Sequence, residues 1–85
     1  MSDNGADFMA QYQAGVESRI REQLVRHLSI EPNTDPRRIV EIQIQHERQR
    51  LEKLMQESKG KPEVAESLRL IIAWLPELEH KLKGR

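Results

Sequence analysis

The residues that could bind a metal or transfer protons are three histidines and fourteen acidic side chains. The histidines are His27, His46 and His80, and no two of them have the four-residue spacing that places ligands on one helix face. His80 follows Glu77 by three residues, a spacing typical of neighbours on a helix surface. Acid–base catalysis needs a carboxylate with a perturbed pKa, usually in a pocket, whereas these acids alternate with Lys and Arg. We therefore predict neither a metal site nor a cofactor.

Nucleophiles in a recognisable catalytic setting are also missing from the sequence. The chain has no cysteine, which excludes thiol chemistry and disulfides. No serine lies in a GxSxG motif, and the four glycines are too scattered to form a phosphate-binding loop. Ser58 and Lys61 match SxxK, but the companion motifs of serine acyl-transfer enzymes are absent. We predict that the protein is not an enzyme.

Arg37 and Arg38 stand out among the basic residues because of their position. They begin a predicted helix, where the helix dipole disfavours cations. A solvent-exposed surface of salt bridges is the favoured interpretation of the basic residues. The alternative is a basic face that meets phosphate or an acidic partner, which Arg37 and Arg38 fit best. Most other arginines alternate with acids, and Glu17 and Arg21 have a favourable four-residue spacing for an ion pair. The net charge is zero, which argues against a general nucleic-acid binder.

A stripe of apolar residues between residues 62 and 83, here called the seam, predicts the helix face against which the rest of the chain packs. Its members follow at alternate steps of four and three residues, the spacing of a helix packed lengthwise against other helices. These members are Val64, Leu68, Ile71, Leu75, Leu78 and Leu82. The seam continues in register on both sides of Pro76, which favours a kink there over a break into two helices.

Turn and capping residues mark the ends of the helices. Asp35 followed by Pro36 is typical of an N-cap and the first residue of a helix. Gly60 favours the end of that helix, and Pro62 opens the next one. The connection between them is short, so the two helices should form an antiparallel hairpin.

These signals predict an all-α protein. We expect a three-helix up-down-up bundle built around an antiparallel helical hairpin. The alternative is an extended hairpin that dimerises while the first helix packs separately. The predicted parts of this single domain, residues 1–85, are a frayed N-terminus at 1–5, helix 1 at 6–29, helix 2 at 36–58 and helix 3 at 62–83, with the hairpin over 36–83.

Four apolar residues lie away from the predicted core stripes and could form a second interface. Because one bundle core cannot easily bury all of them, we predict that they bind a partner. Scattered surface hydrophobes or a core wide enough to take up the tryptophan are the alternative. The predicted partner-binding residues are Ile39, Ile42, Leu70 and Trp74, with Arg37 and Arg38 as a polar rim.

The apolar stripe of helix 2 has a polar gap between Ile44 and Leu51. Glu47 and Arg48 occupy the positions where an apolar residue would be expected. A helix that bows outwards or is exposed at the gap is the favoured interpretation. The alternative is a buried or interfacial ion pair that sets the register of the helices.

The sequence favours a small intracellular interaction protein. The N-terminal residues are acidic and lack the apolar core of a signal peptide, and no apolar run approaches the roughly 18 residues of a membrane span. We expect a cytoplasmic protein-interaction module of adaptor, regulator, chaperone or inhibitor type, most simply a homodimer that binds another protein through an apolar helix face. Alternatives are a nucleic-acid-binding regulator using the Arg-rich faces of helices 1 and 2, and a binder of a small anion between subunits.

Overall fold

Three α-helices make up the architecture of the protein. The computed structural model describes the backbone of residues 4–84 and the side chains of residues 8–84. The helices are α1 (Asn4–Ile30), α2 (Pro36–Glu57) and α3 (Pro62–Leu82). Within residues 4–84 there is no β-strand, and the helices pack against one another. The predicted all-α three-helix bundle is thereby confirmed.

The N-terminal boundary differs from the prediction. Residues 4 and 5 belong to α1, because the helix begins at Asn4 rather than near residue 6. Two residues of the segment expected to be frayed are therefore helical. Residues 1–3 of the predicted frayed segment lie outside the part that the structure describes.

The start of α2 follows its capping signal. The Asp35 carboxylate accepts a hydrogen bond of 3.0 Å from the backbone N–H of Arg37, and Pro36 is the first helical residue. A carboxylate at this position satisfies a backbone donor that has no partner within the helix. At the other end, the Ser58 N–H donates to the Met55 carbonyl at 3.1 Å. The four residues 58–61 then connect α2 to α3.

Neither Pro76 nor Gly15 interrupts its helix. α3 runs from Pro62 to Leu82 with Pro76 inside it, so the alternative of two separate helices is wrong. α1 is likewise continuous through Gly15, and a Cβ at Gly15 would have no other heavy atom within 4 Å. No neighbouring group therefore requires the absence of a side chain at Gly15.

The core contains buried side chains from all three helices. α2 and α3 share the largest interface, and α1 packs more on α2 than on α3. Four of the six predicted α3 seam residues are buried, while Leu82 is partly buried and Val64, in the first turn, is exposed. The buried core consists of Val16 and Ile20 from α1, Val40, Ile44 and Leu51 from α2, and Leu68, Ile71, Leu75 and Leu78 from α3.

Two of the residues predicted to lie off the core are covered within the subunit. Ile39 is only 3% exposed, and it lines a depression together with His27 of α1 and Thr34 of the α1–α2 connection. Trp74 is partly buried and packs against the core. The expectation that Ile39 is available to a partner is therefore wrong, and Trp74 is exposed only in part. Ile42 and Leu70 are 44% and 51% exposed.

The polar gap of α2 is closed by an ion pair with α1. Glu47 is 6% exposed, so the favoured expectation of an exposed gap is wrong. Its carboxylate accepts hydrogen bonds from the Arg19 guanidinium at 3.1, 3.2 and 3.3 Å. The alternative of a buried or interfacial ion pair is therefore correct for Glu47, and its cation is the half-exposed Arg19 of α1. Among the described side chains, no buried polar atom lacks a hydrogen-bond partner.

Candidate partner-binding surface

The first turn of α2 and the last turn of α3 enclose a cleft of about 550 Å³. The two helices run antiparallel, so the α2 N-terminus and the α3 C-terminus lie at the same end of the bundle. Arg37 and Arg38 line this cleft from α2, His80 lines it from α3, and Lys83 lines it from the position just after α3. The remaining residues that line it are Asp35, Glu41 and Gly84.

The acidic residues of the cleft already have partners within the protein. Glu41 accepts a hydrogen bond of 2.6 Å from the Lys83 ammonium group, which also lies 3.1 Å from Glu79. The Lys83 hydrogen bond lowers the pKa of Glu41, and the Glu41 and Glu79 carboxylates raise the pKa of Lys83. Asp35 caps α2 and lies 3.7 Å from the Arg37 Nε.

Arg38 differs from these residues, because the structure describes no carboxylate in direct contact with it among side chains 8–84. Among side chains 8–84, none of the carboxylates comes within 4.0 Å of its guanidinium nitrogens. Its charge is therefore available to an external anionic group at the edge of the cleft.

A second, smaller depression of about 190 Å³ lies on the other side of Arg38. Ile39 and Ile42 provide its apolar lining, and His27, Thr34 and Gln43 complete it together with Arg38. Since Arg38 lines both cavities, a positive group and an aliphatic surface are adjacent at this end of the bundle. We call Arg37, Arg38 and Ile42, with the two cavities beside them, the Arg38 surface.

The six predicted partner-binding residues divide into two groups. Arg37, Arg38, Ile39 and Ile42 come together at the Arg38 surface, although Ile39 is buried beneath it. Leu70 and Trp74 lie on α3 and line neither cavity.

His80 and Lys83 were not among the predicted site residues, although they line the cleft. The only available signal was that the hairpin brings the end of α3 next to the start of α2.

Much of the positive charge on α1 is balanced by nearby acids. Arg19 binds Glu47, and Arg21 lies 2.8 Å from Glu17. The Arg21 hydrogen bond, supported by Lys81 at 3.2 Å, lowers the pKa of Glu17. Two of the arginines that could have faced a polyanion are thus held in ion pairs within the bundle.

Metal-binding and membrane-spanning features are not found in the described residues. Within them, no three acidic or histidine side chains lie close enough together to hold a metal ion. None of the described helices combines the length and the apolar character that crossing a bilayer requires. Comparison with protein-family models, with curated proteins and with solved structures gives no match to this chain.

Proposed function

We propose that the protein is a small protein-interaction module that acts in the cytoplasm and binds a partner protein through the Arg38 surface. Adaptors, regulators, chaperones and inhibitors of this size work by occupying a surface of another protein. The observation that carries the proposal is the position of Arg38, which lines a polar cleft on one side and an apolar depression on the other.

The composition of this surface favours a protein partner. Arginine is enriched in protein interfaces and among the residues that contribute most to binding, where an apolar contact lies beside a polar rim. The core is closed by other side chains, so neither Arg38 nor Ile42 is needed to complete it. A role outside the subunit explains an exposed isoleucine one helical turn from an arginine that pairs with no carboxylate among the described side chains.

Affinity capture with matched variants tests the proposal. Native protein should retain a partner from an extract of its host, and Arg38→Glu should lose it because the charge at the binding surface is reversed. Arg50→Glu is the control, since Arg50 is exposed on the same helix but lines neither cavity. Mass spectrometry identifies the retained proteins. Equal retention by native protein and Arg38→Glu would contradict the proposal.

Self-association is a second proposal, supported by Leu70. This side chain is half exposed on α3 beside Trp74, which packs against the core. A leucine exposed next to a partly buried tryptophan provides an apolar contact that a second copy can cover. We therefore propose that the module forms a homodimer through this part of α3.

Nucleic acid and small anions remain alternative ligands. Nucleic-acid binding by the Arg-rich faces is less favoured, because Arg19 and Arg21 are already paired with carboxylates. Such binding would weaken steeply with increasing salt, as counterions are released, whereas an interface with an apolar centre would change little. A small anion held between subunits would use Arg37 and Arg38.

A further inference from the structure

We infer that the Arg38 surface recognises an acidic peptide segment that carries an aliphatic side chain close to a carboxylate. This inference rests on the proposed function and adds the chemistry of the partner. The carboxylate would bind the Arg38 guanidinium at the edge of the cleft, and the aliphatic group would enter the depression lined by Ile39 and Ile42.

The relative placement of the two groups sets the spacing in the ligand. Arg38 and Ile42 are four residues apart in α2, so they lie on one face with a rise of about 6 Å between them. In an extended peptide, a carboxylate and an aliphatic side chain two residues apart are separated by about 6.6 Å. In a helical partner, residues one turn apart have a similar separation.

The charges around the cleft favour a ligand with few negative charges over a polyanion. Arg37, Arg38 and Lys83 oppose Asp35 and Glu41 there, so the site has only a small positive excess. Asp35 and Glu41 lie three residues before and after Arg38 and line the same cleft. Each additional negative charge on a ligand would be repelled there, which favours a ligand with a single carboxylate. Arginine also binds a carboxylate through two parallel N–H donors, which gives the contact a defined direction.

The apolar depression points to the same class of ligand. Ile39 forms its floor and is almost fully buried, while Ile42 forms its open side. Phosphates and sugars are polar groups and would bury little apolar surface against an aliphatic depression of this kind. A leucine or isoleucine side chain that covers Ile42 would remove apolar surface of both molecules from water.

A peptide titration tests the inference. The probe is a pool of acetylated hexapeptides in which every position is Glu, Asp, Leu or Ile, added to isotope-labelled protein. We expect chemical-shift changes in the backbone amides of residues 37–43, together with saturable binding. Individual peptides that contain both an acidic and an aliphatic residue should bind, while all-acidic and all-aliphatic peptides should bind about tenfold more weakly or worse.

Matched variants locate the binding. Arg38→Glu should weaken the affinity for the best peptide by about tenfold or more. Arg50→Glu should weaken it by less than about twofold, since Arg50 lies outside both cavities and salt screens its charge. Ile42→Ser should weaken binding, with Val64→Ser as the control, because Val64 is similarly exposed but lines neither cavity. Unchanged thermal unfolding of each variant shows that the fold is retained.

Three outcomes would overturn the inference. These are failure of every peptide to bind, equal effects of Arg38→Glu and Arg50→Glu, and displacement of bound peptide by duplex DNA that itself binds through Arg38. The first outcome combined with Arg38-dependent capture of a host protein would reject the peptide chemistry but leave the proposed function intact. Capture that does not depend on Arg38 would reject the proposed function as well.

Discussion

At the scale of single residues, Glu47 shows how a polar position can belong to the core. A carboxylate taken out of water is costly unless its oxygens are hydrogen-bonded and its charge is balanced. Both Glu47 oxygens accept from Arg19, whose side chain remains half exposed. The pair ties α1 to α2 at one position and disfavours a shifted register, because a shift would leave the buried carboxylate without its cation.

Removing Arg19 should therefore destabilise the protein more than removing a surface arginine. We expect Arg19→Ala to lower the free energy of unfolding by about 1–3 kcal/mol, since Glu47 stays buried without a partner. Arg21→Ala is the control, because Arg21 pairs with Glu17 at the helix surface, where such a pair contributes about 0.5 kcal/mol. Urea unfolding measures both values, and equal losses would show that the Glu47 pair has no special role.

At the scale of elements, an ion pair joins α2 and α3. It lies at the end of the bundle where the α1–α2 connection leads into α2. Lys83 is the residue just after α3. It binds both Glu41 on α2 and Glu79 on α3. The connection 58–61 joins the opposite ends of the same two helices. Glu41 and Lys83 therefore hold together the helix ends that form the candidate cleft.

The Glu41–Lys83 contact should weaken in acid. The pKa of Glu41 is lowered in the folded state by its hydrogen bond to Lys83, so its contribution to stability is complete above the ordinary value of 4.5 and is lost as the pH falls through the lower folded value. The pKa of Lys83 is raised, so its contribution is complete below 10.5 and is lost as the pH rises through the higher folded value.

A variant of Lys83 tests this dependence. Lys83→Met should have a lower melting temperature than native protein at neutral pH, and the difference should shrink as the pH is taken well below 4.5. Lys59→Met is the control, because Lys59 is an exposed lysine in the α2–α3 connection with no carboxylate within 4.0 Å among the described side chains. A difference between Lys83→Met and native protein that persists in acid would contradict the assignment.

At the scale of the whole molecule, two of the exposed apolar residues, Ile42 and Leu70, do not line a common cavity. Ile42 lies beside the end of α1, whereas Leu70 belongs to α3 and lines neither cavity of the Arg38 surface. Binding of a partner and self-association can therefore use different parts of the bundle. A dimer formed through Leu70 would leave the Arg38 surface open to another protein.

Self-association can be separated from stability with two variants of α3. Leu70→Asp should reduce the sedimentation coefficient to that of a monomer without lowering the melting temperature by much, because Leu70 is half exposed. Trp74→Asp should lower the melting temperature instead, since Trp74 packs against the core. If native protein sediments as a monomer at high concentration, the self-association proposal is lost.

Local signals were enough to predict the helices and much of the core. The α3 seam has a period that any packed helix requires, and Asp35 with Pro36 satisfies the backbone at the start of α2 without help from distant residues. For the same reason, the all-α class and the approximate ends of α2 and α3 could be read before the structure was known. These features depend on residues within a few positions of one another.

The tertiary structure alone decided which faces are covered. Ile39 is buried, Glu47 takes its cation from α1, and Arg38 lines two cavities to which residues of α1 and α3 also contribute. Periodicity defines the direction of a side chain around its own helix, but it carries no information on which neighbour lies in that direction. The sequence by itself determined the helices and their apolar faces, and packing determined the burial and the candidate site.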